Sequence, residues 1–349
     1  MTGDNAHSGT KGKSRFIRLV RNRWIWAVGL TLLAASCAPG LFNFDSGFVS
    51  DDTVVRGAVT AASPESSQES SPGSSPDTAD DTRAPLEISY LAAGNTSGRR
   101  VIFVHGTPGE AANFLDLLHR VPDDMEFVAI DRPGFGFTKP RRAVTALDAQ
   151  AAAIRPLLVE RNGKWPILVG HSLGGPIVAA AAANYPDRID GIIELAGSLD
   201  PALEDVLWVQ HLGNVPPFSW LLSASARHAN RELIALEDEL VALGDRLGDI
   251  RQPVIIVHGT QDRLVPYENV PYMQAKFSGA RALDLITLDG ANHFLPWNAA
   301  DRILDAIRML DTRIADLGDN TLPQTCLAAR HPDGPVPAQT QTAARTALC

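Results

Sequence analysis

The sequence predicts an α/β fold: a mostly parallel, twisted sheet with helices on both faces, and a small helical cap inserted after strand 6, the run at 192–195. Three observations carry this expectation. Short apolar runs alternate with longer segments of helical character between 86 and 311, the order that layers helices onto a parallel sheet. Several runs are continuous rather than alternating, as in strands buried on both faces. Polar, glycine-rich turns follow the runs, on the edge where right-handed crossovers gather the strands' carboxyl ends.

The elements follow in chain order. Runs at Leu86–Leu91 and Val101–Val104 read as strands, the second followed by HGTPG (105–109) and a helical segment at 111–120. Phe127–Ile130 is followed by DRPGFG (131–136) and a helix over 145–160. Ile167–Val169 leads into GHSLGG (170–175) and an Ala-rich helix at 176–184, whose Pro176 falls in the first turn, where a missing N–H costs little. After Ile192–Leu195 comes the cap, 200–252, in which Leu233, Leu236, Leu240, Leu243 and Leu247 recur at three- and four-residue steps, an amphipathic helix pattern. Trp208, Phe218 and Trp220 precede that helix; they either line an apolar pocket or pack the cap onto the core. Val254–Val257 runs into HGTQD (258–262), Leu283–Leu288 into DGANH (289–293), and a last helix covers 299–310.

Outside this segment the composition changes. Residues 1–36 carry six basic side chains against Asp4, and 24–44 hold no charge. Ala34, Ala35 and Ser36 precede Cys37. A basic head, an apolar run and small residues form the order of an export signal, and the small residues before Cys37 resemble the lipobox of bacterial lipoproteins, with Cys37 the lipidated residue of 1–37. An uncleaved anchor from Trp24 to Phe44 and an ordinary cleaved signal are the alternatives. Each sends the domain across a membrane, with the basic head left in the cytoplasm, so the chain is expected to be exported and membrane-tethered. Residues 38–85 are acidic and rich in Ser and Pro, a tether too poor in apolar groups to order itself. The stretch 312–349 is expected to be mostly disordered. Its Cys326 and Cys349 are either a pair or two separate thiols.

The formal charge of −9 argues against nucleic-acid partners. Three Cys in 349 residues build no disulfide framework. No metal-ligand cluster and no dinucleotide fingerprint stands after a strand, so neither metal nor cofactor is expected.

The ordered set HGTPG, DRPGFG, GHSLGG, HGTQD and NH, over roughly 86–311, resembles the α/β-hydrolase family. The resemblance implies Ser172 as nucleophile on a sharp strand-to-helix turn, Asp262 as acid and His293 as base, in the chain order Ser, acid, His. A serine hydroxyl needs such a base within reach at neutral pH. Asp200 is a rival acid, and its plainer reading is a helix cap before Pro201. The backbone N–H groups of Thr107 and Leu173 are the implied oxyanion donors. His105 and His258 read as structural, and His171 as shaping the pocket. Serine rather than aspartate at the turn speaks against epoxide hydrolase or dehalogenase chemistry. The expected activity is cleavage of a carboxylic ester in a small-molecule acyl substrate through an acyl-enzyme. Thioester, amide, carbon–carbon and perhydrolase chemistry lie close by. From a different class stands a non-catalytic surface lipoprotein that keeps the fold as a binding module. The oligomeric state is left open.

Overall fold

A computed structural model of the chain describes residues 53–62, 85–204, 210, 220 and 222–319. Among them, eight strands make one sheet: β1 (Val54–Ala61), β2 (Leu86–Gly94), β3 (Arg99–Val104), β4 (Met125–Ile130), β5 (Ile167–His171), β6 (Gly191–Leu195), β7 (Val254–Gly259) and β8 (Leu283–Leu288). Their order across the sheet is β1-β2-β4-β3-β5-β6-β7-β8. The pairings of β1 with β2 and of β2 with β4 are antiparallel. All the others are parallel.

The continuous apolar runs are explained by burial on both faces. Ile102, Val104, Val128, Ile130, Leu168, Ile192 and Ile256 point to one side. There they meet α2 (Leu147–Ile154), α3 (Gly174–Asn184), α4 (Ala224–Gly244) and α5 (Asn269–Lys276). Val101, Phe103, Phe127, Val169, Ile193 and Val257 point to the other, against α1 (Leu115–His119), α6 (Leu295–Asn298) and α7 (Ala300–Asp319). The spacing of Ile303, Ile307 and Leu310 puts one stripe of α7 into this second layer, fully buried. Each such side chain contributes roughly 1.5–3 kcal/mol on leaving water.

The structure differs from the sequence reading at both ends of the domain. The tether assigned to 38–85 contains β1, which pairs along its whole length with β2, Val54 opposite Ala93 and Ala61 opposite Leu86. Its β-branched Val54, Val55, Val59 and Thr60 suit an edge strand. β1 also carries Arg56, whose Nη1 donates to Ser89 Oγ (2.8 Å) and to Asp131 Oδ2 (2.9 Å). The tail assigned to 312–349 begins as helix, because α7 continues to Asp319. The cap helix α4 starts at Ala224 on a Ser223 side-chain cap, and Leu236, Leu240, Leu243 and Leu247 pack into the first layer. The leader 1–37 with Cys37, the remainder of the tether apart from 53–62 and Pro85, most of 205–221, and 320–349 with Cys326 and Cys349 lie outside the described residues. Among the described residues no helix is long and apolar enough to cross a membrane.

Candidate active site

Ser172 sits between β5 and α3 with φ at 57°, a left-handed conformation that costs a side-chain-bearing residue strain and marks functional turns. The turn is that sharp because glycines flank it. A Cβ at Gly170 would lie 2.3 Å from the Gly174 carbonyl oxygen, and one at Gly174 would lie 2.2 Å from that of Val104. The Ser172 backbone is pinned as well: its N–H donates to Leu195 O (3.1 Å) and its carbonyl accepts from Gly175 N (2.9 Å). Leu173 is the N-cap of α3, so its N–H belongs to the helix end where such groups have no intrahelical partner.

His293 and Asp262 meet beyond the ends of β8 and β7. Asp262 Oδ2 accepts from His293 Nδ1 at 2.7 Å, and Asp262 Oδ1 accepts from Leu264 N and Val265 N, both at 2.9 Å. The carboxylate is thereby oriented by two backbone donors and presents its second oxygen to the ring. With Nδ1 carrying the proton, Nε2 is left as an acceptor. Asp200 takes no part in this pair. Its Oδ1 accepts from Ala202 N at 2.9 Å and caps the turn Pro201–Leu203.

Three further histidines brace the loops around this pair, and each is neutral. His171 donates Nε2–H to the His293 carbonyl (3.0 Å), and the two rings lie 4.8 Å apart. That contact places the His293 loop beside the Ser172 turn. Burial, and then the neighbouring His293, lowers the His171 pKa to about 3. His258 donates Nε2–H to Val265 O (3.0 Å), holding the acid loop, and burial lowers its pKa too. His105 accepts from Arg132 N at Nε2 (3.1 Å) and so donates Nδ1–H to Gly106 O (2.7 Å). Burial, followed by the Arg132 charge, holds its pKa well below the ordinary value. Among the described residues Ser172 Oγ makes no hydrogen bond to the His293 ring.

The loop carrying Thr107 rests on a buried polar cluster. Arg132 Nη2 donates to Gly106 O (2.8 Å), and Arg132 Nη1 to Gln150 Oε1 (3.1 Å). Glu232 of α4 faces the same guanidinium, with Nη1 to Oε1 at 2.7 Å and Nη2 to Oε2 at 3.1 Å. Glu232 Oε2 accepts from Thr107 Oγ1 at 2.5 Å. Sequence reasoning missed Arg132, Gln150 and Glu232. One signal was present: Glu232 stands four residues before Leu236 on the apolar stripe of α4, a charge where the helix faces inward.

A family profile described as "alpha/beta hydrolase fold" matches residues 99–246, under half of the chain. The chain is 26% identical over 211 residues to the dihydrolipoyllysine-residue acetyltransferase component of an acetoin cleaving system from Cupriavidus necator, covering 52% of this chain and 56% of that protein. The chain therefore spans about half the length of that curated relative. It is 28% identical over 246 residues to a pimeloyl-[acyl-carrier protein] methyl ester esterase from Xanthomonas campestris, covering 60% of this chain and 94% of the esterase. A solved thermophilic esterase from Thermogutta terrifontis has the same fold, with a TM-score of 0.55 at 18% identity over 74% of this chain and 99% of that one. The chain has the α/β-hydrolase fold, and over the matched segment it is similar to that family.

Proposed function

We propose that the chain is a serine hydrolase that cleaves a carboxylic ester of a small acyl substrate with Ser172 as nucleophile, His293 as base and Asp262 as acid. The carrying observation is a strained serine turn after β5 on the same edge of the sheet as a histidine, after β8, whose Nδ1 is 2.7 Å from a buried carboxylate after β7. Ser172 Oγ attacks the ester carbonyl while His293 Nε2 takes its proton. The tetrahedral oxyanion is received by the N–H groups of Thr107 and Leu173. Collapse breaks the bond to the alkoxy group, which leaves as the alcohol with the proton from His293. Water then attacks the acyl-enzyme by the same route and releases the acid. The methyl ester esterase among the relatives supports an ester over the neighbouring acyl bonds. The basic head of 1–36, the uncharged run 24–44 and the small residues before Cys37 support a membrane-tethered location on the far side of the membrane, by lipid or anchor.

The test is fluorophosphonate labelling of the full chain beside its Ser172→Ala variant, with p-nitrophenyl esters of graded length assayed in parallel. Full length matters because β1 is part of the sheet. Labelling and turnover are expected in the wild type and lost in the variant, a fall in kcat on the order of 10⁴-fold or more. A folded wild type that neither labels nor turns over any ester overturns the reading in favour of a binding module.

A further inference from the structure

Resting on the reading of Thr107 N–H as an oxyanion donor, we infer that Arg132 and Glu232 are positioning residues that lock this donor toward Ser172. The helix α4 thereby sets whether the oxyanion hole is formed.

The inference turns on one peptide unit, Gly106–Thr107, which is trans. In a trans unit the C=O and the N–H point in opposite directions. Gly106 O is held from the interior by two donors, Arg132 Nη2 at 2.8 Å and His105 Nδ1 at 2.7 Å. With the carbonyl drawn inward, the Thr107 N–H faces the other way. The unit also lies against the nucleophile: a Cβ built at Gly106 would be 2.7 Å from Ser172 Cβ and 3.2 Å from its Oγ.

Glu232 secures this unit from both sides. It pairs with Arg132 through both oxygens, and it accepts from Thr107 Oγ1, fixing the Cα that follows the N–H in question. Gln150 Nε2 donates to Glu232 Oε1 at 2.5 Å, so the carboxylate's lone pairs are engaged by three partners. Arg132 and Glu232 are 0% and 2% exposed. A buried ion pair of this kind is weak evidence for stability, since an apolar pair of similar shape often serves as well. Geometry is what it supplies here. Two more residues of α4 keep its register on the domain: His228 Nδ1 bonds Gly134 O at 2.8 Å, and Glu239 Oε2 accepts from Leu147 N at 2.8 Å.

The decisive variant is the double substitution Arg132→Met/Glu232→Leu in the full chain, which removes the charges together and keeps the volume. Beside it stand Arg132→Lys, Glu232→Gln, Ser172→Ala and the wild type. Each is measured for melting temperature, for kcat and KM on a p-nitrophenyl ester, and for affinity toward a trifluoromethyl ketone. That ketone forms a tetrahedral adduct with the serine and places an oxyanion in the hole. A positioning role predicts a double variant that melts within a few degrees of the wild type but has kcat lowered roughly 10- to 100-fold. KM should stay within about threefold, and ketone affinity should fall by the same factor as kcat. Arg132→Lys, which keeps the charge, should show the same split, and Glu232→Gln the same fall in kcat and ketone affinity at a lower melting temperature. The folded ones among them decide the matter if the double variant does not fold. Folded variants that turn over and bind the ketone like the wild type overturn the inference while leaving Ser172 as nucleophile, provided Ser172→Ala is inactive. An inactive wild type overturns the reading of the site itself, and the inference with it.

Discussion

Two buried glutamates lie close to the Ser172 turn, and they live in opposite circumstances. Glu232, on α4, meets Arg132, Gln150 and Thr107. Glu194, on β6 and paired in register with Gly170, has no hydrogen-bond partner on either oxygen among the described residues. It is fully buried, and burial alone pushes its pKa up to about 8. A charge held by directed donors can fix the geometry of its neighbours, whereas a carboxyl without donors is kept neutral and only fills space. Burial therefore does not tell which acid serves a site. The partners do.

The largest effect that sharpens this contrast comes from single removal. Glu232→Leu leaves the Arg132 guanidinium buried without its counter-charge, and unfolding by denaturant should show a loss of about 3–5 kcal/mol. The paired Arg132→Met/Glu232→Leu variant should recover most of it. If the single variant loses nothing measurable, the pair is not the desolvated unit described above.

Glu194 should behave in the reverse sense, with a pH signature. Its folded pKa of about 8 lies above the ordinary 4.5, so the folded state holds a proton that the unfolded state releases across that interval. This contribution to stability is complete below about 4.5 and declines as pH rises through about 8, by about 1.4 kcal/mol per pH unit inside the window. Glu194→Gln is shaped like the neutral acid and carries no proton to lose. The difference in unfolding free energy between variant and wild type should therefore be small near pH 4. It should grow to a few kcal/mol in the variant's favour by pH 7. A difference that stays flat from pH 4 to 8 would remove the contrast between the two glutamates.

How legible this was in the sequence depends on how local the signal is. Strands buried on both faces write themselves as apolar runs, as β3 to β7 do, and β2 and the edge strand β8 also fall on the runs that marked them. The Ser172 turn, the Asp262–His293 contact and the capping role of Asp200 involve residues next to strand ends, where glycine and the polar types stand out. β1 was hidden because an edge strand is half exposed, as its alternation of buried Val54 and exposed Val55 shows, and because acidic, Ser-rich sequence surrounds it. Arg132 and Glu232 were hidden for another reason. They are 100 residues apart, and nothing in the spacing of either announces a partner across that distance. The same holds for Arg56 and Asp131, which join the edge strand to the loop after β4. Long-range polar pairs are products of topology, and they become visible only when the sheet order is known.

The smallest effect reaches the same contrast through the glycines beside Glu194. A Cβ at Gly197 would lie 2.5 Å from Glu194 Oε2 and 2.9 Å from Leu199 Cδ1, both ends of side chains. Gly197→Ala should accordingly cost about 1–3 kcal/mol by overpacking. Most of that cost belongs to one carboxyl, so in a Glu194→Ala background the same substitution should cost less than about 1 kcal/mol, a coupling of the size neighbours in contact show. Gly175 provides the control. A Cβ there would meet Glu194 Oε2 at 2.4 Å but also the Gly197 Cα at 2.8 Å, and backbone cannot swing aside. Gly175→Ala should stay destabilising in both backgrounds. Equal costs for Gly197→Ala with and without Glu194 would mean that the carboxyl moves freely in its site, and a space-filling role would no longer describe it.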